Sequence, residues 1–499
     1  MSKTPPAPRS PLKVCHIAAT TEGAVWVFEQ LRDLRDRYGY EVSAILNGEQ
    51  GSLVDHFRKA GIPVYAADFD FTSNLDLLNL PRKVVALVRL LRRERFDIIQ
   101  THLFHSMVIG RIAAWFADVP VRFSMIAGPF HLEAYTPRWI DKYTCWIDTT
   151  IIASCELTRT LYQKMGVAEK RLAVIYYGPD EAKFNPATTV RADLCAEYGW
   201  MPDTPLIGMV AYFYPELPNS RWMPPALHGR SVKSQEDLIR AVPFVLSEFP
   251  QAKFLLVGSG WEEGGRAYLQ RMQELVHELG LEKSVVFTGF RTDIAAVLAA
   301  LTVAVQPSLS ENLGGTIESL LMECPTVATR VGGMTDSILD GKTGVLVNPS
   351  DPNSLARGIL RLLCDPTLVR QYGIAGRRRM LANFTLHRTV DKLADLYEKK
   401  SSALRSGYRP HVIAIRLVTG SFVCLLIVLR YVLFDAWLLP LWDQGWRPWR
   451  SNALAITLPW LYRLHALIAR HSSFGIRKRL RFFLKFVAMQ AAKLRLMRW

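Results

Sequence analysis

The stretch "SLSENLGGTIESLLMECPTVATRVGG", residues 308–333, sets two carboxylates, Glu311 and Glu318, on either side of a glycine pair, Gly314-Gly315. The apolar run "LTVAVQP" (301–307) precedes it, and a second glycine pair closes it. Apolar run, polar loop, helical "TIESLLME" and apolar "PTVATR" have the lengths of one strand–helix–strand unit of a parallel sheet. Thr316 stands where a helix cap belongs, and Glu318 falls in the first helical turn. One reading is a loop and helix with solvated acids, since helix starts favour negative charge. The other is a ligand site, in which the glycines admit a phosphate to backbone N–H groups and Glu318 accepts two ribose hydroxyls. The local pattern alone leaves both open.

The same rhythm extends outward over most of the chain. Apolar runs at 14–19, 42–46, 97–100, 121–126 and 149–154 alternate with longer helical patterns. After "YYGPDEAKFNP" (176–186) the rhythm restarts, with runs at 206–212, 253–258, 285–289, 301–307, 325–330 and 344–347. Two sets of strands predict an α/β protein of two doubly wound, Rossmann-like domains facing a cleft, spanning 12–190 and 200–385. A terminal helix over 386–404 completes that body, and residues 1–11 read as a disordered lead. In such sheets ligands sit at the carboxyl ends of strands.

Composition narrows the function. The chain has 499 residues, 49% of them hydrophobic, and a formal charge of +16. From residue 404 onward there are sixteen Lys/Arg against Asp435 and Asp443, so the rest of the chain carries only about +2. A nucleic-acid footprint would spread basic residues over the folded body, so none is expected. Seven scattered cysteines without a C-x-x-C pair argue against a disulfide framework or a structural zinc. No G-x-G-x-x-G or Walker lysine motif appears, which argues against nicotinamide and flavin chemistry.

Residues 405–499 change character. "LVTGSFVCLLIVL" (417–429) is uncharged but shorter than the roughly 20 residues a spanning helix needs. "WLLPLWDQGWRPW" (437–449) clusters tryptophan and proline as interfacial segments do. In 476–499 a helical wheel puts Leu480, Phe483, Leu484 and Val487 on one face and Arg477, Lys478, Arg481 and Lys485 on another. That predicts a helical tail lying on an anionic membrane, peripheral or monotopic, at its cytoplasmic face.

With these residues in place, the segment "PSLSE…GGTIESLLMECPTVATRVGGMTDSILDGKTGVLVNPSD" resembles the nucleotide-sugar half of the family 4 retaining glycosyltransferases of B-type fold. "IIASCELTRTLYQKMGV…RLAVIYYGPDEAKFNP" (151–186) is similar to the same family's linker, and the resemblance covers roughly residues 12–400. It implies transfer of a sugar from a nucleotide-diphosphate donor, with retained configuration and without metal or bound cofactor. The first domain would then take the acceptor and the second the nucleotide sugar. Glu318 falls on the family's ribose-binding glutamate and Glu311 on the one that contacts the donor sugar. Six residues separate them here, where the family normally has seven.

The resemblance also assigns the diphosphate to Lys233, in "GRSVKSQEDLIRA", and to an arginine after the second domain's first strand. That arginine's place is taken by "VAY" and an inserted segment, 213–230, so Arg230, or else Arg221, is the substitute. At the strand end where the family often carries a catalytic histidine stands Ile126; His131 is the nearest candidate and His102 the next. Gly23 lies in the first strand-to-helix loop, where it would let diphosphate or acceptor approach. Leaving-group charge would be stabilised by the Gly314-Gly315 helix start and Lys233, and the acceptor would be a lipid-linked or surface glycan. A nucleotide-sugar epimerase of the same fold and a non-catalytic scaffold at a membrane are the alternatives.

Overall fold

The sheets of this computed structural model, which describes residues 11–71 and 74–404, are both wholly parallel. The first takes β1 (Lys13–Ala18), β2 (Glu41–Leu46), β3 (Val64–Ala66), β4 (Ile98–His102), β5 (Val121–Ile126), β6 (Thr150–Ala153) and β7 (Leu172–Val174) in the order β3-β2-β1-β4-β5-β6-β7. The second takes β8 (Leu206–Val210), β9 (Lys253–Val257), β10 (Val285–Gly289), β11 (Val303–Gln306), β12 (Thr326–Thr329) and β13 (Gly344–Val347) in the order β10-β9-β8-β11-β12-β13. The disordered lead and the membrane tail anticipated from sequence lie outside the described residues, apart from residue 11. Among the described residues no helix is long and apolar enough to cross a membrane.

Helices cover both faces of each sheet, so β4, β6, β11, β12 and even the edge strand β13 are buried along their whole length. Each apolar run read as a strand holds one. Two strands had no such signal: β3 and β7 are three-residue edge strands, half-buried or exposed throughout. Local chemistry sets several helix boundaries. Asp351 accepts from the Ser354 N–H at 2.8 Å and Asp365 from the Thr367 N–H at 2.9 Å, each directly before a proline at the first helical position.

The chain passes between the domains twice. Residues after β7 lead into the second domain, where Leu194 and Cys195 join a core with Leu206 and Leu255. The helix Pro366–Asn383 packs Met380 there, beside Phe384, and the next helix, Leu386–Leu404, returns to the first domain. It buries Leu386, Val390, Leu393 and Tyr397 against the strands and helices of the first sheet. The two passages are laced together: the Leu386 N–H donates to Pro179 at 2.9 Å, and Thr389 Oγ1 donates to the Tyr176 carbonyl at 2.7 Å. A Cβ at Gly178 would lie 2.2 Å from the Thr385 carbonyl carbon, so only glycine lets these backbones touch.

Candidate functional site

The opening stretch folds as strand, loop, short helix and strand. Its helix, Thr316–Leu321, is stopped by Glu323, with φ 58°, and by Pro325. Thr316 is not the cap: Gly315 holds that place, and the Thr316 hydroxyl is buried against the Leu313 carbonyl and 2.9 Å from Ser337 Oγ. The glycines serve the loop itself. Gly314 takes φ 57° and leaves room for the Glu311 side chain, while a Cβ on Gly315 would lie 2.6 Å from Gln306 Nε2. A Cβ on Gly332 would strike the Glu311 carbonyl. The second glycine pair is thus the floor on which Glu311 rests.

Lys233 Nζ is ion-paired with Glu311 Oε2, with side chains 19% and 14% exposed. Burial opposes the lysine's charge, but Glu311 outweighs it and holds the Lys233 pKa above its ordinary value. Glu311 also accepts from Ser308 Oγ at 3.3 Å and from the Asn312 N–H at 3.1 Å. Glu318 is half-buried as a residue, yet its Oε2 is sealed from solvent and has no hydrogen-bond partner. Burial pushes its carboxyl up to about 7, with Lys233 opposing. An unanswered carboxylate oxygen beside a lysine is a seat for hydrogen-bond donors that the chain does not supply.

A cavity of about 160 Å³ opens beside this group and takes its walls from both domains. Val232, Lys233, Ser310, Glu311 and Asn312 line one side, and Ala127–Phe130, the loop after β5, the other. His131 follows Phe130 in the short helix Phe130–Glu133; its Nε2 lies 3.3 Å from Asp141 Oδ2, and Phe104 flanks its ring. Asp141 belongs to a sealed cluster in which Arg111 Nη1 donates to Asp141 at 2.7 Å and Arg111 Nη2 pairs with Asp148 at 2.8 Å. Burial raises the Asp141 pKa, but Arg111 and His131 outweigh it and hold the carboxyl down to about 2.

Two sequence-based expectations are corrected here. His102 ends β4 as expected but is wholly buried, with Nε2 3.1 Å from His16 Nδ1 and Trp26 packed against its ring. Burial lowers its pKa well below the usual value, and it cannot reach a substrate in the cavity. Arg230 is held by the start of the helix that follows it, Gln235–Leu246: Nη2 donates to Asp237 at 2.7 Å and to Ser234 at 3.0 Å. Arg221 does not replace it, since its guanidinium lies over the Tyr135 ring of the first domain. A first-domain carboxylate that sequence reasoning did not single out stands at the cleft: Glu133 Oε2 accepts from Ser310 Oγ at 2.6 Å. Burial raises the Glu133 pKa against the pull of Ser310 and His131. The motif "FHLE" puts Glu133 two residues after His131, which was the available signal.

Gly23, with φ 61°, faces Trp261 of the second domain, whose Cη2 would lie 3.8 Å from a Cβ there. Trp261 meets Tyr212 edge-on, and Tyr212 stacks at 6.4 Å with Phe290, itself 62% exposed. This aromatic group sits at the carboxyl ends of β8, β9 and β10.

Both halves of the chain match known families. A profile described as "Glycosyl transferase 4-like domain" matches residues 22–178, and one described as "Glycosyl transferases group 1" matches residues 226–365. The 2-deoxystreptamine glucosyltransferase of Streptomyces kanamyceticus is 27% identical over 374 residues, 70% of this chain and 89% of its own. The UDP-Gal:alpha-D-GlcNAc-diphosphoundecaprenol alpha-1,3-galactosyltransferase of Escherichia coli is 23% identical over 406 residues, 78% of this chain and 97% of its own. Among solved structures, Anabaena Alr3699/HepE in complex with UDP and glucose superposes with a TM-score of 0.64 at 20% identity, covering 78% of this chain and all of that one. Sucrose-phosphate synthase from Thermosynechococcus elongatus gives 0.62 at the same identity. The two solved structures share the fold of this chain over residues that make up more than three quarters of it.

Proposed function

We propose, from the premise that this chain belongs to the group 1 and 4-like glycosyltransferases, that it moves a sugar from a nucleotide diphosphate to a lipid-linked or surface-glycan acceptor with retained configuration. The observation that carries this is the cavity walled by Lys233 and Glu311 on one side and the Ala127–Phe130 loop on the other. Lys233 neutralises the diphosphate, Glu318 accepts the ribose hydroxyls with its unpartnered Oε2, and Glu311 holds the donor sugar. Tyr212 and Phe290 offer an exposed aromatic face to the base. The departing phosphate takes the acceptor's proton, and most of the rate enhancement comes from stabilising its charge. His131, fixed by Asp141, orients the acceptor from the other wall.

The lipid-linked acceptor is supported by the Escherichia coli relative, whose name specifies a diphosphoundecaprenol acceptor. It is supported again by the basic, tryptophan-rich sequence of 405–499, which suits an anionic membrane surface.

The test is a panel of nucleoside diphosphates in a thermal-shift assay with detergent-solubilised full-length protein, followed by transfer from the matching nucleotide sugar. At least one diphosphate should raise the melting temperature, as any ligand selective for the native state does. The anomeric configuration of the product, read by NMR, decides between retention and inversion. No stabilisation by any diphosphate, together with no transfer, leaves the scaffold reading.

A further inference from the structure

Glu311 sits between two residues that are each tied to the opposite domain. On one side, buried Ser310 donates to Glu133 Oε2 at 2.6 Å; on the other, Asn312 Oδ1 accepts from Ser154 Oγ, at the end of β6, at 2.9 Å. The backbone of the β5 loop rests on the same residue, since a Cβ on Gly128 would lie 3.2 Å from Asn312 Cβ. The second-domain loop that carries the cavity's carboxylate is thereby pinned to the first domain at both of its neighbours.

We propose that Glu133 and Ser154 are positioning residues that aim Glu311, so that the donor-sugar carboxylate is set by the acceptor domain. This rests on the reading of Glu311 as the group that holds the donor sugar. The loop has no slack to absorb a separation: Ser308 and the Asn312 N–H hold the Glu311 carboxylate, and Gly332 lies under its carbonyl. When the cleft opens, either the two cross-domain hydrogen bonds break or the loop leaves its floor. Lys233 pairs with Glu311 of its own domain, and Glu318 lies on the second domain's helix Thr316–Leu321. Nucleoside diphosphate therefore binds to one domain, while the sugar is gripped only when the two are together. A donor bound to an open cleft is thereby held without its sugar aligned for attack.

The test compares Glu133→Ala/Ser154→Ala, Ser310→Ala and Glu133→Gln in the full-length protein. The glutamine keeps an oxygen that accepts from Ser310. Amide exchange over residues 308–313, without ligand, should quicken about tenfold in the double alanine variant and in Ser310→Ala, the scale expected for lost hydrogen bonds to a charged group, and stay near wild type in Glu133→Gln. Unchanged exchange in both alanine variants overturns the clamp, whatever the ligand turns out to be. With the diphosphate that best stabilises wild type, the double variant should keep its affinity for the diphosphate and lose about tenfold for the corresponding nucleotide sugar. Equal losses for both ligands overturn the assignment of the clamp to the sugar. A wild-type protein that binds no diphosphate overturns the donor reading instead, and the exchange result still decides the clamp. Ser310→Ala leaves the first domain untouched and serves if the double variant does not fold.

Discussion

Each domain holds one cation against two carboxylates, and the two clusters have opposite fates. In the first domain, Arg111, Asp141 and Asp148 have no side-chain exposure at all. Thr144, Ser124 and Tyr162 add hydrogen bonds to the guanidinium and Asp141, while Arg111 Nε and Asp148 Oδ1 have no partner. In the second, Lys233 and Glu311 line an open cavity, and the Oε2 of nearby Glu318 has no partner. Within the first cluster Arg111 outweighs burial at Asp141, held down to about 2, while at Asp148 burial prevails and raises the pKa. In the second, burial drives the Glu318 carboxyl up to about 7. The difference teaches that neither charge composition nor an unpartnered atom alone marks a site; charged groups that line an open cavity do.

The contrast can be broken most forcefully at Arg111. Arg111→Ala strands two buried carboxylates and should destabilise the protein by about 3–5 kcal/mol in urea unfolding, the usual cost of breaking a buried ion pair. A loss below about 1 kcal/mol would mean that the sealed cluster relaxes or admits water, and the contrast with the cleft would collapse. Lys233→Ala should do the reverse, leaving urea unfolding nearly unchanged and lowering turnover about 10²–10³-fold, or 2.7–4 kcal/mol, as removal of one stabilising donor does. Turnover within a few-fold of wild type would remove Lys233 from the chemistry.

Glu318→Ala should weaken diphosphate binding by about 1.5–3 kcal/mol in calorimetry, the worth of hydrogen bonds to a charged group. Unaltered affinity would mean the sealed oxygen is idle. The smallest effect concerns pH. Because burial raises the folded-state pKa of Glu318 to about 7, the stability its protonated form contributes is present below the ordinary carboxylate value and lost as pH rises through about 7. The unliganded protein should therefore melt at lower temperature at pH 8 than Glu318→Gln, and the gap should close toward pH 4. A constant gap across that range would detach the effect from this carboxyl.

What could be read from sequence divides along the same line. The second-domain site was legible because Glu311, the glycine pair and Glu318 lie within eight residues of one another, on one loop and the helix it starts. The first-domain wall was not, because the Ala127–Phe130 loop that forms it carries no charged or polar side chain to mark it. His102 stands at a strand end, where a ligand group belongs, but Trp26, His16 and the returning Tyr397 close over it. Arg230 was misplaced for a local reason: Asp237, on the helix that follows, captures its guanidinium. The parallel sheets followed from their buried, continuous apolar runs, and only the edge strands β3 and β7, too short and too exposed to leave such a run, escaped notice.

The laced double passage between the domains has a mechanical consequence. A single connecting strand would let one domain swivel about it, because torsion around one chain costs little. Here the Tyr176–Pro179 segment is hydrogen-bonded to the Thr385–Thr389 turn, and Tyr176 packs against Phe384 at 4.4 Å. Two backbones joined side by side resist twisting but still flex across their common plane. Relative motion of the domains is thereby reduced toward one degree of freedom, a bend about an axis through the joined passages. Every opening and closing then retraces one arc, so cross-cleft partners such as Ser154 and Asn312 meet again in register after each cycle.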